Sequence, residues 1–117
     1  MAAGARSCFA DTLLPMIRIC YMVTATLPDD QIARRYISWL QDGHVDAVIS
    51  HGAHSAMIIE LEPRKGSPRV MTQYIFPTRQ LFDRYVEEFA PALRADGLKR
   101  FPPESGVTFE RNIGTIL

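Results

Sequence analysis

The chain has 117 residues, of which 47% are hydrophobic and 22% are charged, and this composition is typical of one globular domain. Thirteen basic and thirteen acidic side chains cancel, so no broad attraction to nucleic acid or to an anionic membrane is expected. No apolar run approaches the ~20 residues that a membrane span requires.

The two cysteines, Cys8 and Cys20, are isolated and form no CxxC motif. Such cysteines favour a cytoplasmic protein with free thiols. Residues 1–15 lack a continuous apolar segment, so a secretory signal is not expected and this segment is predicted to be a poorly ordered extension. A single domain is predicted over residues 16–117, with Met16 as an alternative natural start.

The first predicted elements are a strand and a helix. Residues 17–26 are rich in β-branched and aromatic side chains, with apolar groups on both faces, which favours a central strand. Pro28 is predicted to lie in the first turn of a helix that ends near Gln41, with Gly43 as a left-handed cap. The short segment 44–50 is consistent with either a helix or a strand.

The second half of the chain predicts two strands, a long helix and a last strand. Ala90 and Pro91 are expected to interrupt that helix, and residues 91–96 to restart as one short turn before Gly97. The remaining predicted elements are a strand at 54–62, a Pro/Gly hairpin loop at 63–68, a strand at 69–76, a helix capped by Thr78, and a strand at 107–117.

This order of elements, β-α-β-β-α-β, predicts an α+β fold of the ferredoxin-like type. Two right-handed crossovers place both helices on one face of a four-stranded antiparallel sheet. The other face carries apolar side chains and has no helix to cover it. The sequence therefore predicts a homodimer packed through this helix-free sheet face, a dimeric α+β barrel.

The run "APALRADGLKRF", residues 90–101, is the most specific stretch of the chain. Together with Trp39, His44, Gly52, Ala56 and Arg111, it resembles a bacterial family called domain of unknown function 4286. The resemblance covers residues 16–117 and implies the dimeric α+β-barrel superfamily, whose members include cofactor-independent monooxygenases, isomerases, dehydratases and haem-degrading enzymes. Relatives often carry His where this chain has Phe89, which weakens any role for a histidine there.

The three histidines lie within eleven residues and invite a metal hypothesis. His51 and His54 form an HxxH pair around a glycine turn, but a catalytic zinc site needs a third protein ligand, so no metal is expected. His44 follows the end of the first helix. It either caps that helix or lines a cavity between the sheet and the helices.

Four residues are the candidates for a ligand site. Trp39 lies on an apolar helix stripe, and Tyr74 alternates with Gln73 along the third strand. Arg111 lies in a strand where its neighbour Glu110 points to the other face, so it is either a structural ion pair or a ligand anchor. The predicted ligand-binding residues are Trp39, His44, Tyr74 and Arg111, and the last three are also the candidate catalytic residues.

A basic group formed by Arg94, Lys99 and Arg100 is read first as a solvated helix end and second as an anion site. The chain has no phosphate loop, no GxSxG motif and no RNA-binding aromatic pattern, so no cofactor and no nucleic acid are expected.

Two functions remain open. The first is a dimeric barrel that binds a small apolar or aromatic ligand, with cofactor-independent oxygenase or isomerase-like chemistry as its enzymatic form. The second is a non-catalytic structural or interaction module. A cleft with converging polar groups near His44 favours the first, and a sheet interface filled by Met22, Met57 and Met71 favours the second.

Overall fold

The computed structural model describes residues 17–117, so the predicted extension 1–15 and a start at Met16 lie outside the described residues. Four strands and four helices follow in the order β1 (Ile19–Thr26), α1 (Asp30–Trp39), α2 (Val45–Ser50), β2 (Ser55–Arg64), β3 (Ser67–Phe76), α3 (Arg79–Arg84), α4 (Ala90–Arg100) and β4 (Thr108–Thr115).

The four strands form one antiparallel sheet in the order β2-β3-β1-β4. The two central strands, β1 and β3, pair directly with each other, and each is flanked by one edge strand. This arrangement confirms the predicted ferredoxin-like fold. Across the register, Tyr21 of β1 lies beside Tyr74 of β3 and Ile113 of β4.

The core lies on the helix-covered side of the sheet. Alternate residues of β1 and β3, among them Tyr21, Ala25, Val70, Tyr74 and Phe76, are almost fully buried there. Because successive side chains of a strand point to opposite faces, the residues between them point to the other side of the sheet.

That opposite side is the open face of the sheet. Met57 of β2 pairs with Gln73 of β3, which pairs with Met22 of β1, so these side chains share one row. Met71 lies in the next row, and Met57 is 59% exposed. The open face therefore carries three methionines, Met22, Met57 and Met71. Within residues 17–117, no helix is long and apolar enough to cross a membrane.

Helix α1 begins at Asp30, two residues after Pro28, which was predicted to lie in its first turn. The Asp29 side chain accepts a hydrogen bond from the Ile32 N–H at 2.8 Å and is the N-cap, so Pro28 precedes the helix. After Trp39 the chain passes through a wide turn, in which Gly43 has φ of 144°. Gly43 is thus the left-handed residue that the sequence predicted, and residues 45–50 form helix α2.

The hairpin between β2 and β3 is tighter than predicted. Strand β2 extends to Arg64, and only Lys65 and Gly66 form the turn, with φ of 52° and 79°. Positive φ at both turn positions matches the twist of the paired strands, so the predicted six-residue loop is wrong. Pro63 is tolerated because β2 is an edge strand.

The second long helix is not interrupted at Pro91. A π-helical turn over Tyr85–Phe89 joins α3 to α4, and the Ala90 N–H bonds to the Tyr85 carbonyl. Pro91 has no N–H, and its ring crowds the turn that precedes it. The π-helical turn is wider than an α-helical turn and therefore accommodates both effects. The predicted restart before Gly97 is also wrong, because α4 runs through Gly97 to Arg100.

Candidate functional site

A cavity of about 160 Å³ lies between the helix-covered face of the sheet and the helices. Strand β1 contributes Tyr21 and Val23, and β3 contributes Tyr74. Helix α4 lines the opposite side with Leu93 and Gly97. Gly97 allows α4 to pack closely against Trp39, because a Cβ at this position would lie 3.2 Å from the Trp39 ring.

Tyrosine rings form much of the wall. The Tyr21 ring lies 5.9 Å from that of Tyr74 and 6.2 Å from that of Tyr85. Burial raises the pKa of Tyr36 and of Tyr85 to about 12, and it raises the pKa of Tyr74 further still. These phenols therefore stay protonated at neutral pH.

Two arginines meet at one tyrosine hydroxyl. Arg94 Nη2 of α4 and Arg111 Nε of β4 each donate to the Tyr21 hydroxyl oxygen at 3.2 Å. The Arg111 guanidinium also lies 5.6 Å from the centre of the Phe109 ring, within cation–π range. Within residues 17–117, neither arginine forms a salt bridge.

Trp39 and His44 form a stacked pair at the edge of the cavity. Their ring centres lie 4.0 Å apart with the planes at 23°, and Trp39 Nε1 donates to Asp96 Oδ2 at 3.3 Å. Burial lowers the pKa of His44 to about 4, although the nearby Asp96 carboxylate opposes this. The imidazole is therefore neutral at physiological pH.

A surface groove adjoins the cavity on the far side of this pair. Trp39, His44 and Leu93 line both spaces. Four basic side chains and two acidic ones line the groove: Arg34, Arg35, Lys99, Arg100, Asp42 and Asp96. Cationic side chains thus outnumber anionic ones along this approach to the cavity.

The four residues predicted as a ligand site come together. Trp39, His44, Tyr74 and Arg111 all line the cavity, although they lie on α1, the turn after it, β3 and β4. Their roles toward a ligand stay predictions. Arg111 has the orientation expected from alternation, since it lies on the helix side and Glu110 on the open face.

The other two histidines lie elsewhere. The His51 ring stacks on the Phe89 ring, with the ring centres 4.0 Å apart. The backbone N–H of His54 donates to the Ile75 carbonyl at 2.6 Å. In the part of the chain that the structure describes, no three His, Cys, Asp or Glu side chains cluster as metal ligands.

The sequence interpretation did not select Tyr21, Tyr85 or Arg94 for the site. Arg94 was grouped with Lys99 and Arg100 as a helix end because the helix was expected to stop at Pro91. Helix α4 is continuous from Ala90. One face of it therefore carries Leu93, Arg94 and Gly97, at spacings of one, three and four residues. That spacing was the available signal.

The chemistry of the cavity is that of binding and orientation. It offers apolar ring surfaces, protonated phenols, two guanidinium groups and a neutral imidazole. A base with a pKa near 4 removes only the more acidic protons at neutral pH, so strong general-base catalysis by His44 is not favoured.

Solved structures similar to this one share its fold at low sequence identity. A dimeric ferredoxin-like protein from an uncultured marine organism is 15% identical, with a TM-score of 0.64 over 86% of this chain and 96% of its own. A candidate monooxygenase from Shewanella loihica PV-4 is 12% identical, with a TM-score of 0.59 over 86% of this chain and 94% of its own. The de novo designed protein Foldit4 is 13% identical, with a TM-score of 0.59 over 86% of this chain and 99% of its own.

A designed protein among these neighbours means that the fold alone carries no function. No curated protein matches the chain. The model of a family described as domain of unknown function (DUF4286) matches residues 18–115, nearly all of the described chain. The chain therefore belongs to this family, as the residues around Ala90–Phe101 indicated.

Proposed function

We propose that this protein binds a small apolar or aromatic molecule in the cavity between its sheet and its helices. The observation that carries the proposal is a space of about 160 Å³ walled by aromatic rings, into which a few polar groups converge. An apolar cavity of roughly 150 Å³ holds one benzene molecule, so a single-ring compound matches this size.

The predicted site residues have distinct roles in this proposal. The stacked rings of Trp39 and His44 would contact the ligand from one side, and Tyr74 would form the wall on the sheet side. Arg111 would orient a polar group of the ligand. Because His44 is neutral and Tyr74 stays protonated, these residues hold and position the ligand rather than exchange protons with it at neutral pH.

We also propose that two copies of the chain pack through the open sheet face. Met22, Met57 and Met71 supply an apolar surface there, and Met57 is largely exposed in the single chain. The likeness to a protein described as dimeric supports a dimer, whereas the choice of the open face rests on its methionines. The cavity and the dimer surface lie on opposite sides of the sheet, so ligand binding does not require a residue from the partner.

Cofactor-independent oxygenase or isomerase-like chemistry would be the enzymatic form of this function, and the likeness to a candidate monooxygenase is consistent with it. The alternative is a non-catalytic dimeric module, which the methionine-rich open face favours. Ligand binding in the cavity separates the two, because a pure interaction module has no use for it. The predicted cytoplasmic location stays a prediction.

A thermal-shift screen with single-ring aromatic and small aliphatic compounds tests the proposal. A compound at about 100 times its Kd stabilises the folded state by about 2.7 kcal/mol, which raises Tm by several degrees. A Leu93→Trp variant should lose this shift, because the indole fills the cavity that Leu93 lines.

The matched control is Ala95→Trp, an exposed position two residues further along the same helix. This variant should keep the full ligand-induced shift. Far-UV circular dichroism checks that both variants fold. If no compound stabilises the wild type, or if Leu93→Trp responds as well as the wild type, binding in this cavity is wrong.

A further inference from the structure

Because Arg94 and Arg111 converge on the Tyr21 hydroxyl at the wall of an aromatic cavity, we propose that the ligand is an apolar acid whose carboxylate binds between the two guanidinium groups. This inference rests on the proposed function and specifies its ligand class. Arg94, Tyr21 and Arg111 come from α4, β1 and β4, so the fold brings them together from three elements.

Arg94 and Arg111 are exposed residues that line the cavity, whereas Tyr21 is almost fully buried, so the two guanidinium groups lie on the solvent-facing side of the cavity wall. Two cationic groups bond to the same neutral oxygen at 3.2 Å, so their donor nitrogens are at most twice that distance apart. The repulsion between them is not offset by a carboxylate, since neither forms an ion pair within residues 17–117. An anion placed between them would remove this repulsion.

The donor geometry suits a carboxylate. Arg111 uses its Nε toward Tyr21 and Arg94 uses one terminal nitrogen, so each guanidinium keeps further N–H groups for another acceptor. Guanidinium groups bind carboxylates through two parallel hydrogen bonds, and such charged bonds are about twice as strong as neutral ones. The Tyr21 hydroxyl accepts both arginines and retains its own proton for donation.

The rest of the cavity lining determines which kind of group is attached to the carboxylate of the ligand. Apart from this cluster, the lining consists largely of aromatic and aliphatic groups, including Tyr36, Tyr85, Leu93 and Phe109. The volume admits about one aromatic ring. A single-ring aromatic acid therefore matches both halves of the site, with its ring among the tyrosines and its carboxylate at the arginines.

The adjoining groove favours entry of an anion. Its basic side chains outnumber its acidic ones, and Arg35 and Lys99 form no salt bridge within the described residues. Such a surface attracts a negatively charged ligand and raises its association rate, an effect that salt weakens.

The test compares phenylacetate with 2-phenylacetamide, which has nearly the same shape and no charge. Titration calorimetry on the full chain should show the acid binding at least about tenfold more tightly, as expected from charged hydrogen bonds. Arg94→Gln and Arg111→Gln should each remove this preference, because each variant should lose far more affinity for the acid than for the amide. Arg111→Lys should retain part of the preference, because it keeps the charge.

The control variant is Arg100→Gln, which removes a charge from the groove but none from the cavity, and it should keep the preference for the acid. Equal affinity for acid and amide would overturn the carboxylate assignment while leaving the proposed function standing. Inorganic phosphate binding as tightly as phenylacetate would also overturn it, because the site would then recognise charge alone. If neither an aromatic nor a small aliphatic compound of any charge binds, the proposed function itself fails.

Discussion

His44 shows how one buried ring links the cavity to pH. Its pKa is 6.5 in an unfolded chain and about 4 in the folded protein, because burial against Trp39 disfavours the charged form. Between these two pH values the unfolded state binds more protons than the folded state. The stability that the neutral ring provides is therefore complete above pH 6.5 and is lost as the pH falls toward 4.

We expect His44→Phe to remove this dependence while keeping an aromatic ring against Trp39. On going from pH 7.5 to pH 5, the free energy of unfolding of the wild type should fall by about 2 kcal/mol more than that of the variant. Urea denaturation at both pH values measures this difference, and tryptophan fluorescence reports on Trp39 alone because the chain has one tryptophan. The same pH response in both proteins would show that the ring is solvated.

The turn between α1 and α2 depends on the backbone of Gly43. Its φ of 144° lies where residues with a Cβ are strained, yet a Cβ at this position would have nothing within 4 Å. The cost of Gly43→Ala is therefore a backbone cost alone, of about 1–3 kcal/mol. Because this turn places His44 at the edge of the cavity, the backbone strain introduced by Gly43→Ala would also affect the position of His44.

Gly66 provides the comparison, because its φ of 79° is close to the left-handed helical region and its Cβ would also meet nothing within 4 Å. Asn is well tolerated in such hairpin turns, so Gly66→Asn should be nearly neutral, whereas Gly43→Asn should destabilise about as much as Gly43→Ala. Urea unfolding of the three variants and the wild type gives the order. A neutral Gly43→Asn would mean that the turn relaxes to another conformation.

Among the secondary-structure elements, the strands were predictable from the sequence, whereas the turns that connect the elements were not. Alternation and β-branched content located all four strands, because a strand with one buried face has a fixed period. The two-residue turn at Lys65 and the π-helical turn before Pro91 depend on local backbone adjustments that composition does not encode. Because the helix was wrongly predicted to be interrupted at Pro91, Arg94 was not assigned to the face of α4 that lines the cavity.

For the whole molecule, the order of elements was enough to bring together Trp39, His44, Tyr74 and Arg111, but it did not identify Tyr21, Tyr85 and Arg94 as further residues of the cavity. Residues as distant in sequence as Trp39, Tyr74 and Arg111 line one space because the fold brings α1, β3 and β4 together. The ligand does not follow from the fold, since a designed protein has it as well. Only the side chains at the cavity, above all the arginines at Tyr21, carry information on what binds.

The same sheet that supports the cavity presents its other face to a second copy, and one charge should prevent that contact. Met22 lies in a central strand on the open face, in one row with Gln73 and Asn112. A symmetric dimer through this face would bury about 800 Å² per partner and would place Met22 near the middle. Met22→Asp would then bury a carboxylate from each chain without a partner, which is costly.

Light scattering at tens of micromolar should give the wild type a mass of two 13.2 kDa chains, with little dependence on salt because the chain has no net charge and the methionines supply apolar contacts near the middle of the interface. Met22→Asp should give one chain with an unchanged circular dichroism spectrum. The control is Ile49→Asp, which adds the same charge at an exposed apolar residue of α2 on the helix side, and it should remain dimeric. A wild-type mass of a single chain would exclude this dimer but not the cavity, because every residue of the cavity comes from one copy.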